Sequence, residues 1–324
     1  MSNSLKGILN DIKERFGIFN PNNIITNNER QLLLTANNDN IQSDDNEICS
    51  VTNGLNSQLN LEEEISKLAQ RTGIRILKQE LMKQKNLEQV FSKTEDILEN
   101  KQTESQENLS ESISEDWLSY YIEGASKISD EQVQDLWAKI LAGEIITPKT
   151  FSKRTLDILF RLSPEEAKLF EKVCGYVVEI DDKLMLINEE KFNPPDYFTY
   201  LEIMRLGECG LINSSNTNSL NANIAPKSKF AIVYGRDVII GETTKQENIH
   251  LQIFTLTVAG TELIKIISST RKHDYLKDLT KYLQNKYKNI TWDIHQIFKR
   301  EGRNIHYAKI DMKLIIKEII NTSS

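Results

Sequence analysis

Leu5, Ile8, Leu9, Ile12 and Phe16 recur at helical spacing, with Lys6, Asp11, Lys13, Glu14 and Arg15 around the rest of the turn. An amphipathic helix is therefore expected within residues 1–19. Its polar face mixes charge signs, whereas membrane-surface helices are rich in Lys and Arg; a helix that docks on this protein or on a partner fits better. Over residues 20–60 the pattern lapses. Fourteen of the first sixty residues are Asn, which competes for its own backbone and favours turns, so a largely disordered linker is expected. Helical grammar returns over residues 61–102. Asn60 stands where an N-cap is wanted, Glu62, Glu63 and Glu64 fall in the first turn, and Ile65, Leu68, Ala69, Ile76, Leu77 and Leu81 supply an apolar stripe. Gly73 and the "KQKN" stretch are weak points, predicting two helices or one kinked helix. Residues 103–114 read as a second polar linker.

Residues 115–180 are expected to form a three-helix unit with fixed corners. Ser129 and Gln132 suggest a capping box and Ile128 with Val133 a hydrophobic staple. Val133, Leu136, Trp137, Ile140 and Leu141 give one buried face, and Gly143 sits where a left-handed C-terminal cap is wanted. A second helix after "TPKTF" turns Leu156, Leu159 and Phe160 inward. Ser163, Pro164 and Glu166 then spell a third start: N-cap, proline at the first helical position, capping-box acid.

Beyond Gly175 the period changes. "YVVEIDDKLMLIN" reads either as the helix running on or as a short hairpin around Asp181 and Asp182. A helix follows and ends near Gly207; "KFAIVYGRDVIIGE" gives two strands turning at Gly235, "NIHLQIFTLT" a third, and "TVAGTELIKIISS" a helix capped by Thr257. That order is the one expected of a winged-helix-like module over residues 181–270. Residues 271–324 offer an amphipathic helix (Tyr275, Leu276, Leu279, Leu283) and two strands around "KREGRN", with Ile290, Trp292 and Ile294 on one face. The fold class is thus α+β, mainly helical: a capped helical unit, a winged-helix-like module, and a C-terminal helix plus β-hairpin.

Charge sharpens this picture. The formal net charge of -7 argues against a generic polyanion binder. Its distribution is uneven: residues 1–130 hold 13 Lys/Arg against 22 Asp/Glu, and residues 271–309 hold 10 against 4. No run of about 18 apolar residues exists, so no membrane-spanning helix is expected, and the first residues lack the apolar core of a secretory signal. Cys49, Cys174 and Cys209 lie far apart without a C-x-x-C pair, which suggests neither a disulfide framework nor a zinc site. The expected compartment is cytoplasmic.

The segments "ISDEQVQDLWAKILAGEI", "TFSKRTLDIL" and "LSPEEAKLFEKV", continued by "LEIMRLGECGLIN" and "LTVAGTELIKI", resemble the bacterial family catalogued as domain of unknown function 2806, over roughly residues 61–310. A more distant likeness runs to the abortive-infection alpha family, in the same succession of helix, "LSP" helix, "GLI" turn and "LTxxG" segment. The resemblance implies a prokaryotic antiviral or stress context. The first family has no established activity, so no functional residues carry over from it.

Lys149, Lys153, Arg154 and Arg161 form a basic run at the front of the second central helix. They read either as an anion or nucleic-acid contact or as a solvated face paired with Glu165 and Glu166. Lys299, Arg300 and Arg303 form a second basic cluster in the last hairpin. His250, His273, His295 and His306 show no metal-ligand spacing, although His295 and His306 could face each other across that hairpin. Cys174 and Cys209 have no base beside them in sequence. No catalytic, cofactor-binding or metal-ligating residues are assigned. Ser129, Trp137, Gly143, Ser163 and Pro164 are expected to be structural. The leading expectation is a non-enzymatic interaction or scaffold protein that meets a protein partner, or its own copy, through the N-terminal helix. The rival is a nucleic-acid-binding regulator or effector using the winged-helix-like module and the basic C-terminal stretch. An enzyme assembling Asp181, His295 and His306 is the third class.

Overall fold

The structure, a computed structural model, describes residues 5–18, 55–101, 112–192, 197–215, 218–267, 272–302 and 304–309. The side chains of residues 55–63, His273 and Lys309 are outside that description. The chain divides into two compact units, Met1–Thr150 and Phe151–Ser324. This division cuts the stretch 115–180 that the sequence groups as one three-helix unit. Most of the Asn-rich linker and of the linker expected at 103–114 lies outside the described residues.

The first unit contains α1 (Leu5–Arg15), α2 (Leu55–Lys101), α3 (Glu115–Ser126) and α4 (Glu131–Ile146). Leu9 and Ile12 of α1 are buried in this unit, where α1 packs on α2 and α4. Lys13 reaches Glu95 at 2.7 Å and Arg15 reaches Glu115 at 2.6 Å. The centre of the α1 apolar face is thus buried inside the unit, while Leu5, Ile8 and Phe16 remain partly exposed. The expected break in α2 is absent: one helix runs through Gly73, and it begins before Asn60, which is therefore not its cap.

Only the later part of α2 enters the core, through Leu87, Val90, Phe91, Thr94 and Leu98. Its earlier apolar stripe is left in solvent: Ile65 and Leu68 are each 56% exposed, Ile76 48% and Met82 70%.

Trp137 organises the rest of the first unit. It is 1% exposed, its ring lies 5.1 Å from that of Tyr121, and its carbonyl accepts the Tyr121 hydroxyl at 2.7 Å. The indole packs so closely on Gly124 that a Cβ there would stand 2.4 Å from its Cη2. Two corner assignments shift. The N-cap of α4 is Asp130, whose carboxylate accepts from the Val133 amide at 3.0 Å, rather than Ser129. Helix α4 also continues past Gly143 to Ile146, because Glu144 and Ile145 are themselves buried. The left-handed residue comes later, at Lys149, with φ 69°.

The second unit opens with α5 (Lys153–Arg161) and α6 (Pro164–Cys174). Ser163 and Glu166 form the reciprocal capping box with Pro164 in the first turn. Leu156 and Leu159 are buried, but Phe160 points outward at 43% exposure. The hairpin reading then prevails over a continued helix. Strands β1 (Val178–Ile180) and β2 (Lys183–Ile187) turn at Asp181 and Asp182, whose φ of 50° and 61° are those of a two-residue type I′ turn.

Next come α7 (Tyr200–Glu208), β3 (Ile212–Asn213), β4 (Ser219–Ile224), β5 (Lys229–Tyr234), β6 (Asp237–Thr243), β7 (Glu247–Leu256), α8 (Val258–Leu263), α9 (His273–Lys286), β8 (Ile290–Glu301) and β9 (Asn304–Lys309). All pairings are antiparallel, in the order β3-β7-β2-β1-β5-β6-β8-β9, with β4 also on β7. The boundaries read at 180 and 270 therefore run through one continuous sheet. Tyr275, Leu276, Leu279 and Leu283 of α9 are fully buried in it.

Two of the sequence segments that carry the family resemblance meet at one corner. Thr257 donates its amide to the Leu211 carbonyl at 3.0 Å and its hydroxyl to the Gly210 carbonyl at 2.6 Å. The Thr257 hydroxyl oxygen also accepts from the Gly260 amide at 3.1 Å. Gly260 must be glycine: a Cβ would stand 2.2 Å from the Leu211 carbonyl oxygen. Overpacking a closed site costs about 1–3 kcal/mol. Gly260→Ala and Gly124→Ala are each expected to lose at least that much in chemical denaturation. Emission from Trp292 reports the second unit, and emission from Trp117 and Trp137 the first.

Candidate functional site

A phosphate-binding site at the front of α5 would need its helix N-terminus open to solvent. It is already filled from within the chain. Glu262 of α8 accepts from the Ser152 amide at 2.7 Å, the Ser152 hydroxyl at 3.1 Å and the Thr155 hydroxyl at 2.5 Å. This carboxylate occupies the place where an external anion would sit, and the helix dipole favours it there.

The basic residues around it do not converge. Lys153 and Arg154 are exposed on α5, and Arg161 lines a cleft at its other end. Lys149 belongs to the first unit, where its amide donates to Glu144 at 2.5 Å.

The second basic cluster is largely spent on intramolecular pairing. Arg300 forks onto Glu179, one contact being 2.9 Å, and reaches Asp182 at 3.3 Å. Lys299 lies 2.5 Å from Glu301, and Arg303 is outside the described residues. The two late imidazoles do not face each other. His295 packs on Tyr307 with ring centres 4.8 Å apart, whereas His306 pairs with Lys299 in register and lies beside Phe298 on the other face of the hairpin. Asp181 remains in its turn. The three residues of the enzyme hypothesis are not brought together. Among the described residues, no group of three His, Cys, Asp or Glu side chains is arranged to hold a metal ion, and no helix is long and apolar enough to cross a membrane.

A cleft of about 500 Å³ in the second unit is lined by Asp157, Ile158, Arg161, Leu162, Glu166, Glu208, Cys209 and Gly210. Its chemistry is muted. Burial, together with the Glu166 carboxylate, pushes the Cys209 thiol up to about 11, so it remains protonated at neutral pH. Glu166 accepts from the Ser163 amide at 2.9 Å and lies 3.5 Å from Arg205. The Ser163 bond above all holds Glu166 below the usual carboxylate range. The acid facing the thiol is thus a helix cap and no strong base.

The most elaborate polar cluster was not visible in the sequence. Glu189, 8% exposed, accepts from the Gln252 amide at 2.8 Å, from Lys286 at 2.8 Å and from the Tyr282 hydroxyl. Strand β2 ends at Ile187, and Asn188 still donates to the Gln252 carbonyl at 2.8 Å. The Glu189 carboxylate then takes the Gln252 amide, so a side chain continues the β7 ladder where backbone pairing stops. Burial works to raise the Glu189 pKa, but the bonds from Lys286, Tyr282 and Gln252 outweigh it and hold the carboxyl below its ordinary value.

A family model described as "Protein of unknown function (DUF2806)" matches residues 70–280. No curated protein and no solved structure gives a significant match to the chain.

Because the folded-state pKa of Glu189 is lowered, its contribution is present above the ordinary carboxyl value of 4.5 and is lost as pH falls through the lower folded value. Glu189→Gln is therefore expected to lower the melting temperature clearly at pH 7, with the gap to wild type narrowing by pH 3 in parallel thermal melts. Glu262→Ala, which uncovers the α5 N-terminus and three donors, is expected to cost about 2 kcal/mol in chemical denaturation.

Proposed function

The chain belongs to the family described as proteins of unknown function DUF2806, and we infer that it serves as a non-enzymatic interaction or scaffold protein. The observation that carries this reading is the contrast between committed polar groups and uncommitted apolar ones. Glu262, Glu166, Glu189 and Arg300 are tied into caps, ladders and turns. Ile65, Leu68, Ile76 and Met82 stand in solvent along α2. Exposed large aliphatics grouped on one element mark a surface meant to be covered by another molecule. The likeness of the central motifs to the abortive-infection alpha family supports a prokaryotic antiviral or stress setting for that contact, with the cytoplasm as its place.

Nucleic-acid binding is the second reading. It is favoured by the succession α7, β3, β7, α8, in which β7 lies between β3 and β2, an order compatible with a winged-helix-like module over residues 181–270. Phe298, 70% exposed beside Lys299 and His306, offers a ring on which a base could stack. Against it stands the helix that would enter a groove: α7 presents Tyr200 and Leu201 to solvent, and its charged residues are Glu202, Arg205 and Glu208. That surface suits a protein partner better than a phosphate backbone.

A photo-cross-linking residue placed at Ile76 in the native host is expected to give a discrete protein adduct, with none from the same residue placed at Phe160. Equal labelling at the two positions, or none at Ile76, would count against the interaction reading. Titration of the whole chain against duplex DNA separates the rival: tight binding at low salt that weakens steeply as salt rises would favour it over the first.

A further inference from the structure

We propose that the exposed stripe of α2 pairs with the same stripe of a second copy of this chain, the two helices running antiparallel and crossing near Gln70 and Arg71. The proposal rests on the interaction reading and names its partner.

At 100° per residue, Ile65, Leu68, Ala69, Thr72 and Ile76 fall within one arc of the helix. That arc prolongs the face on which Leu87, Val90 and Thr94 are buried in the body. The seam that packs α2 into its own unit therefore runs on past the end of the body, with nothing described upon it. Between Glu64 and Met82 only Thr72 and Ile74 are even partly covered. Gly73, exposed in the helix interior, costs about 1 kcal/mol relative to Ala. An apolar stripe of this kind is covered when two helices associate.

Charge selects the second copy and the orientation. Glu64 and Arg75 border the same flank of the stripe, with Arg71 just behind them, while Lys67 and Lys78 fall further round the helix. In a parallel pair each flank would face the partner's opposite flank, and Glu64 and Arg75 would not meet. An antiparallel pair sets the acidic start of each helix against the basic stretch of the other.

One register satisfies both terms. Ile65 meets the partner's Ile76, Ala69 meets the partner's Thr72, and Glu64 stands beside the partner's Arg75. Symmetry then repeats each contact, as an isologous two-fold interface requires. Ala69 and Thr72 fall at the crossing, where small residues let the two backbones approach.

Sedimentation velocity of the full chain tests this. Wild type is expected to show a concentration-dependent dimer. Ile76→Glu is expected to sediment as a monomer and to melt at the temperature of dilute, monomeric wild type, because Ile76 is exposed and outside the core. Glu64→Arg and Arg75→Glu are each expected to weaken association about tenfold or more, and the double variant to restore it. A parallel pair or a merely adhesive surface would show no such rescue.

A wild-type chain that stays monomeric at every concentration overturns the proposal, whether the stripe is bare or covered by residues 19–54 of the same chain. So does a dimer that survives Ile76→Glu, or a double variant that does not recover. A monomer whose cross-linker at position 76 captures a different host protein sinks self-pairing and leaves the interaction reading standing.

Discussion

The six residues of α8 hold the second unit in register. At the start of α8, Thr257 is bound to the Gly210 and Leu211 carbonyls, and Gly260 lies against Leu211 with no room for a side chain. Near its end, Glu262 takes the amide and hydroxyl donors at the start of α5. A short helix thus ties the edge formed by β3 and β7 to the front of the helical layer through backbone and charge-assisted bonds. Side-chain truncation cannot easily imitate such bonds, and their geometry leaves little slack. Parts of three of the segments that carry the family resemblance, around Ser152, Gly210 and Thr257, meet at this corner.

Where the sequence was legible, it was legible through caps and periods. Ser163, Pro164, Glu166 and Thr257 do locally what those residue types do, because the helix ends they satisfy have few other donors within reach. Where local grammar offered two solutions, tertiary packing chose. Ser129 and Asp130 are both good caps, and the burial of Val133 and Gln134 fixed the helix start one residue later. Gly143 could have ended α4, but Ile145 behind it had a core to enter. Phe160 fits the helical period yet faces outward.

Strand β4 was missed for a different reason. "SLNANI" alternates weakly and is rich in Asn, so its strand state comes from pairing with β7 and cannot be read from its own propensity. The candidate site was less legible still. The sequence showed which residues were charged but could not show which were already spoken for. Glu262 is 110 positions from Ser152, and Arg300 is 121 from Glu179. Pairings of that range depend on topology, and the sheet that creates them joins strands on both sides of the boundaries read from composition. Of the apolar stripe read on the early part of α2, Ile65, Leu68, Ala69 and Ile76 share one arc, whereas Leu77 and Leu81 fall on another side of the helix. That nothing among the described residues covers this arc could not be read from the sequence, because periodicity reports that a face is apolar and says nothing of what lies upon it.

The side-chain splice at Glu189 carries a consequence of its own. A backbone ladder is indifferent to pH, since amides and carbonyls do not titrate, but here one rung of β7 is completed by a carboxylate. The Gln252 amide thereby becomes a proton-addressable seam in an otherwise fixed sheet: its protection from solvent exchange is conditional on a charge held some sixty residues away along the chain. Because Glu189 is held below the ordinary carboxylate range, this rung keeps its charged acceptor until the pH falls below that range.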